Sequence, residues 1–128
     1  MTAKDVVTAY SIALSKGDIP TAFSHFSADA KWHQPGHNQF SGTKVGLDAI
    51  GKMLGDMMNA TQGTLTINPA GAMMENACFV SFPIRFSAKN GNKAMEMNGS
   101  DLFEVIDGKI SQVWLFSENQ SDEDAFWG

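Results

Sequence analysis

The sequence predicts an α+β domain, a layer of N-terminal helices followed by a curved antiparallel sheet. Two observations carry this. Apolar residues recur at helical spacing as far as Asn59, and from Gly63 onward the period becomes strand-like. In that second half, Asn90-Gly91 and Asp107-Gly108 are dipeptides that favour type I′ turns, so consecutive strands fold back on one another as an antiparallel meander. The 128 residues suffice for one core, and 1–128 reads as a single domain without linker, repeat or low-complexity tract.

Thr2 and Asp5 form a weak capping box ahead of Val6, Val7, Tyr10, Ala13 and Leu14, which lie at helical spacing, and Gly17 ends this first helix. Asp18 caps a second, short helix with Pro20 in its first turn, carrying Ile19, Ala22, Phe23 and Phe26. Residues 30–34 read as a short strand stopped by Pro35-Gly36. A third helix covers 44–59, apolar along Leu47, Ile50, Met53, Leu54, Met57 and Met58. Gly51 and Gly55 each cost this helix about 1 kcal/mol against Ala. Small residues one turn apart imply close approach to the sheet. Four long strands follow near 64–74, 77–88, 93–106 and 109–118, with Glu75-Asn76 as the weakest of their turns.

The net charge of −5 is spread without any block of Lys or Arg, which argues against a nucleic-acid partner, because binding a phosphate backbone needs clustered positive charge. A lone cysteine, Cys78, fits a reducing compartment and reads as a small buried hydrophobe. There is no apolar signal core near Met1 and no apolar run of the roughly 20 residues a membrane span needs. The expectation is a cytoplasmic protein with no membrane association. His25, His33 and His37 lack metal-ligand spacing, and no phosphate loop or nucleophile elbow occurs, so no cofactor or metal is expected. The tail from Asp122 to Gly128 is acidic, yet Phe126 and Trp127 require it to dock on the body or on a neighbouring subunit.

Strand residues alternate between faces. Val80, Phe82, Ile84 and Phe86 therefore share one face of their strand. On the next, Met95, Met97, Gly99, Asp101, Phe103 and Val105 lie together, opposite the wetter set Glu96, Asn98, Ser100, Leu102 and Glu104. Asp101 is the one charged residue on an otherwise apolar face. Such a carboxyl has to be paired, hydrogen-bonded or protonated, because burying it bare is too costly. The last strand is apolar on both faces through Val113, Trp114, Leu115 and Phe116, as if covered by helices on one side and another subunit on the other.

The order of elements, with Ala-Leu-Ser-Lys-Gly-Asp at 13–18, Phe-Ser-Ala-Asp-Ala at 26–30 and Ser-Gly-Thr at 41–43, resembles the nuclear transport factor 2-like superfamily, which includes ketosteroid isomerases and SnoaL-type polyketide cyclases. Trp32-His-Gln-Pro-Gly36 and Glu118-Asn-Gln with Asp124-Ala-Phe-Trp127 look most like its SnoaL-like bacterial branch. The resemblance spans almost the whole chain. It implies a cystatin-like fold, a cone-shaped antiparallel sheet wrapped on three N-terminal helices with an apolar pocket at its wide end. It also implies a homodimer formed through the outer sheet face.

Isomerases of that group hold an enolate oxygen between a helix Tyr and a protonated strand Asp, a carboxylic acid kept neutral by its apolar site. Tyr10 and Asp101 stand at the matching places. The isomerase base position is Gln34, which takes no proton at neutral pH, and the cyclase acid position is Leu115. A replacement base would be His33, re-aimed by a bulge at Pro35, or His37 from the following loop. Alternation points Trp32 and Gln34 inward to orient a substrate. Val80, Phe82, Ile84, Phe86, Gly99, Phe103, Val113 and Leu115 would supply the walls.

The leading expectation is a cofactor-independent isomerase, cyclase or lyase acting on a small apolar ring or carbonyl compound. A non-catalytic ligand-binding domain would use the same pocket. A structural dimerisation module would fill it with its own Phe and Met side chains.

Overall fold

The computed structural model describes residues 1–128. Helix α1 (Ala3–Ser15) opens on both halves of the capping box: Asp5 N–H donates to Thr2 Oγ1 at 3.1 Å, and Thr2 N–H donates to Asp5 Oδ2 at 2.9 Å. Asp18 accepts from Thr21 N–H at 3.2 Å and starts the short α2 (Ile19–Phe23). Strand β1 (Phe26–Gln34) begins earlier than the alternation suggests. Residues 42–45, counted partly into the third helix by their sequence, instead form β2 (Gly42–Val45) on β1. Gly46, at φ 90°, turns the chain into α3 (Leu47–Ala60).

The strand expected over 64–74 is two short ones, β3 (Thr66–Pro69) and β4 (Met74–Asn76), both pairing with the same edge of β5 (Phe79–Asn90). Between them, residues 70–73 stand opposite Phe82 and Pro83 alone. Pro83 has no N–H to continue a ladder there. β5 pairs without interruption with β6 (Lys93–Ile106), which pairs with β7 (Lys109–Ser117). Asp107 and Gly108 both take positive φ, 51° and 77°, as a type I′ turn demands. The other hairpin is centred one residue late: Asn90 pairs with Lys93, and only Gly91 of the Gly91-Asn92 loop has positive φ, the type II′ pattern. Likewise the β4–β5 turn is Ala77-Cys78, with Ala77 at φ 54°, rather than Glu75-Asn76.

The strands run in the order β2-β1-β7-β6-β5-β3 as one curved sheet that does not close. It is not wholly antiparallel, because β1 and β7 run parallel. A long excursion separates these two strands, and only consecutive strands joined by tight turns are bound to be antiparallel. The tail, not assigned as an element from sequence, forms α4 (Gln120–Trp127), capped by Asn119 accepting from Asp122 N–H at 3.1 Å. The buried apolar side chains of all four helices and the inner sheet face make one cluster, with Phe103 the largest fully buried side chain. No helix is long and apolar enough to cross a membrane.

The α3 glycines do not serve close approach to the sheet. A Cβ on Gly51 would meet the Phe23 ring at 3.4 Å, and one on Gly55 would meet nothing within 4 Å. Gly55→Ala is therefore expected to stabilise the fold by about 1 kcal/mol, seen as a rise of about 4 °C in the thermal midpoint. No rise would mean that the exposed face of α3 is not free.

Candidate functional site

Asp101 lies on the inner face of β6, directly between Phe82 of β5 and Leu115 of β7. One inward step along the sheet, Val80, Phe103 and Val113 are fully buried, and Val113 is level with Trp32 on β1. Tyr10 comes down from α1, its ring edge-on to Phe26 at 5.1 Å and to Phe103 at 5.8 Å. Asp101 is 9% exposed and Tyr10 5%.

No protein group hydrogen-bonds the Asp101 carboxyl or the Tyr10 hydroxyl, and they do not bond each other; the other buried polar side chains nearby, Trp32, Gln34, Glu123 and Trp127, each make at least one hydrogen bond. No buried side-chain polar atom is both sealed and unpartnered, so each of these oxygens keeps a foothold on accessible space. Burial first, and the Glu123 carboxylate second, push the Asp101 carboxyl up to about 7. Burial, with Asp101 adding to it, raises Tyr10 far above its ordinary value, so it remains a phenol donor.

The neighbouring polar groups are spoken for. Trp32 Nε1–H donates to Gln34 Oε1 at 2.9 Å, both side chains being buried on the inner face. Ile84 and Phe86 continue the inner face of β5. Gly99 has no room for a side chain, because a Cβ there would meet the Phe86 ring at 3.0 Å and the Phe116 carbonyl at 2.9 Å, so Phe86 covers the position expected to line the pocket. His33 stands on the outer face, stacked on Trp114 at 5.1 Å, with Nδ1 bonded to Thr43 and Nε2 to Gln112. β1 pairs regularly with β2 through Gln34, so no bulge re-aims His33 inward. His37 is exposed, and its ring carries no protein hydrogen bond. No group of three or more His, Cys, Asp or Glu side chains could hold a metal ion.

Sequence reasoning missed Glu123. It is 5% exposed, and its carboxylate accepts from Ser117 Oγ–H at 2.6 Å, Gln120 Nε2–H at 3.1 Å and Trp127 Nε1–H at 3.2 Å. Two signals were available: Ser117 shares the inward parity of Val113 and Leu115, and Glu123 is one turn from Trp127. Helix α4 seats Phe126 and Trp127 in the core, with Trp127 edge-on to Phe40 at 5.0 Å. Asp124 Oδ1 latches it to the loop after β1, accepting from His37 N–H, Asn38 Nδ2–H and Gln120 Nε2–H. Gln39 closes the contact, donating from its backbone N–H to the Gly128 carbonyl at 2.8 Å.

The family model described as a SnoaL-like domain matches residues 7–113. An uncharacterised protein of Mycobacterium bovis is 24% identical over 123 residues, covering 96% of this chain and 94% of that protein. Among solved structures, a Xanthomonas campestris protein of unknown function with a cystatin-like fold superposes with a TM-score of 0.94 at 41% identity, covering 100% of this chain and 99% of its own. TerC, co-crystallised with polyporic acid, shares the fold at a TM-score of 0.79 and 17% identity, with 91% of each chain covered.

A raised carboxyl has a definite sign in stability. Between about pH 4 and pH 7 the folded chain holds a proton on Asp101 that the unfolded chain has lost, so stability falls as pH rises. Asp101→Asn is expected to match the wild type at pH 4 and to exceed it at pH 8 by up to about 4 kcal/mol in urea unfolding. An equal difference at both pH values would show that desolvation of the acid is not the cause.

Proposed function

Because the chain belongs to the SnoaL-like domain family, whose fold serves small-molecule enzymes and binders, we propose that it is a cofactor-independent isomerase, cyclase or lyase acting on a small apolar ring or carbonyl compound. One observation carries the reading: Asp101 and Tyr10 are buried together with no protein partner for either oxygen. Two such donors are matched by a single ligand oxygen. A carbonyl oxygen held by both gains negative charge in an enolate-like transition state, which donors in a dry site stabilise more than the ground state. An acid that titrates near neutral pH suits proton donation. Trp32 and Gln34 present a joined polar edge that orients the ring, while Phe82, Phe103, Val113 and Leu115 form its walls. His37, whose ring is free of protein partners, is the base of this reading, in place of the outward His33. TerC's crystallisation with polyporic acid supports a ring compound as the ligand class.

The test is deuterium exchange at the α-carbons of apolar cyclic ketones, followed by proton NMR. Wild-type protein is expected to accelerate exchange, Asp101→Asn to lose about 100-fold and Tyr10→Phe about 10-fold, and His37→Ala to lose about 100-fold as well. Binding without exchange in the wild type would leave a ligand-binding domain. Neither binding nor exchange, with Asp101→Asn unchanged in both, would leave a structural module.

The outer sheet face carries Phe79, Leu102, Trp114 and Phe116, the last 59% exposed, and we assign a second copy of this chain to it. Sedimentation is expected to give a dimer that Phe116→Glu weakens at least tenfold. A wild-type monomer at high micromolar concentration would remove this assignment.

A further inference from the structure

Helix α4 does more than cover the interior, because it carries a second carboxylate into it. Glu123 is anchored to Ser117, which faces inward opposite Gly99. The next inward position on β6 is Asp101. The anchor of one acid is therefore a single diagonal step from the other, a separation of about 7–8 Å between backbone positions across a sheet. Both carboxyls are more than nine-tenths buried.

The groups facing Asp101 can be named element by element. Helix α1 offers Tyr10 and α4 offers Glu123. The flanking strands offer Phe82 and Leu115, β1 offers Trp32 and Gln34, and α3 brings Ile50, Met53 and Met57 into the core. No cation is among them. Lys93, which bonds α4, spends its ammonium on the Ala125 carbonyl at 3.2 Å, on the exposed side of that helix.

The two acids differ in what satisfies them. Glu123 has three donors aimed at its oxygens, and Asp101 has none. Where two carboxyls share a dry region, the one with donors keeps the charge and the other keeps the proton. We propose that Glu123 is a positioning residue for Asp101: its hydrogen-bonded carboxylate holds the Asp101 carboxyl in the protonated, donating form. Ser117, Gln120 and Trp127 serve that role by fixing the charge in place. Docking of α4 then does two things at once, excluding water from the interior and arming its acid. The proposal deepens the reading of Asp101 as a donor and rests on it.

The experiment is the titration of the Asp101 side-chain carboxyl by carbon-13 NMR in wild type and Glu123→Gln, with Asp101→Asn for assignment. Amide exchange at Phe126 and Trp127 reports whether α4 stays docked. Ser117 can turn its hydroxyl to accept from the new amide, so docking is expected to persist. The Asp101 midpoint is expected to fall by about one unit in Glu123→Gln. An unchanged midpoint with α4 docked overturns the role of Glu123 and leaves Asp101 as a donor by burial alone. A wild-type midpoint near 3.9 sinks the donor reading itself, and this inference with it. If Glu123→Gln loosens α4, Glu123→Asp and Glu123→Asn, equal in size and different in charge, isolate the same quantity. The Asn variant is expected to titrate lower than the Asp variant, and equal midpoints overturn the proposal.

Discussion

The docking of α4 is the contact on which the interior depends. A curved sheet backed by α1, α2 and α3 leaves the ends of β6 and β7 facing solvent unless something is laid across them. Phe126 and Trp127 fill that place, and burying each contributes about 2–3 kcal/mol of transfer free energy. Their seat is specific as well as apolar. The Trp127 ring meets Phe40 and Phe126 edge-on, its indole N–H is held by Glu123, and its carbonyl accepts from Gln39. Gly36, at φ 87°, has no room for a side chain, because a Cβ there would run into Asp124 and Gln120. The loop after β1 and the final helix are thus shaped for each other.

With that end closed, the electrostatics of the interior follow. Native proteins leave very few buried polar groups without partners. Here Trp32 is matched to Gln34, Thr61 bonds the Met57 carbonyl within its own helix end, and Glu123 is satisfied three times over. Against that background, Asp101 and Tyr10 are the exceptions. A bare acid in an apolar setting opposes folding at neutral pH, and that burial, with the Glu123 carboxylate adding to it, pushes the Asp101 carboxyl up to about 7. An Asn or a Leu at this position would remove that cost, so Asp101 lowers the stability of the fold at neutral pH.

The alternation of β5 and β6 was enough to read the inner face, and the structure keeps it residue for residue from Met95 to Val105. That is a property of a period of two, which no tertiary contact can shift without turning every side chain over. Tyr10 and the first helix were equally legible, since the capping box and helical spacing are local. What escaped was non-local. The parallel pairing of β1 with β7 leaves no mark in either strand, and β2 is too short to show a period. Helix α4 has a good cap in Asn119 but a polar first turn, so only its two aromatics betrayed it. Glu123 stood among Asp122 and Asp124, where an acid usually faces water. Its burial is decided by Ser117 and Trp127, both of which had to be placed first.

The two positions that depart from the resemblance now have physical occupations. Gln34 points inward, as the isomerase base would, yet its carbonyl oxygen is committed to the Trp32 indole. Leu115 packs directly beside Asp101, so an acid there would have put two unsatisfied carboxyls on adjacent strands. The second carboxylate arrives from α4 instead, already surrounded by donors. Inward positions on such a sheet are equivalent addresses, each able to carry an apolar wall or a polar group without altering the ladder that holds it. The fold is therefore shared at 17% identity without fixing which groups line its inner face.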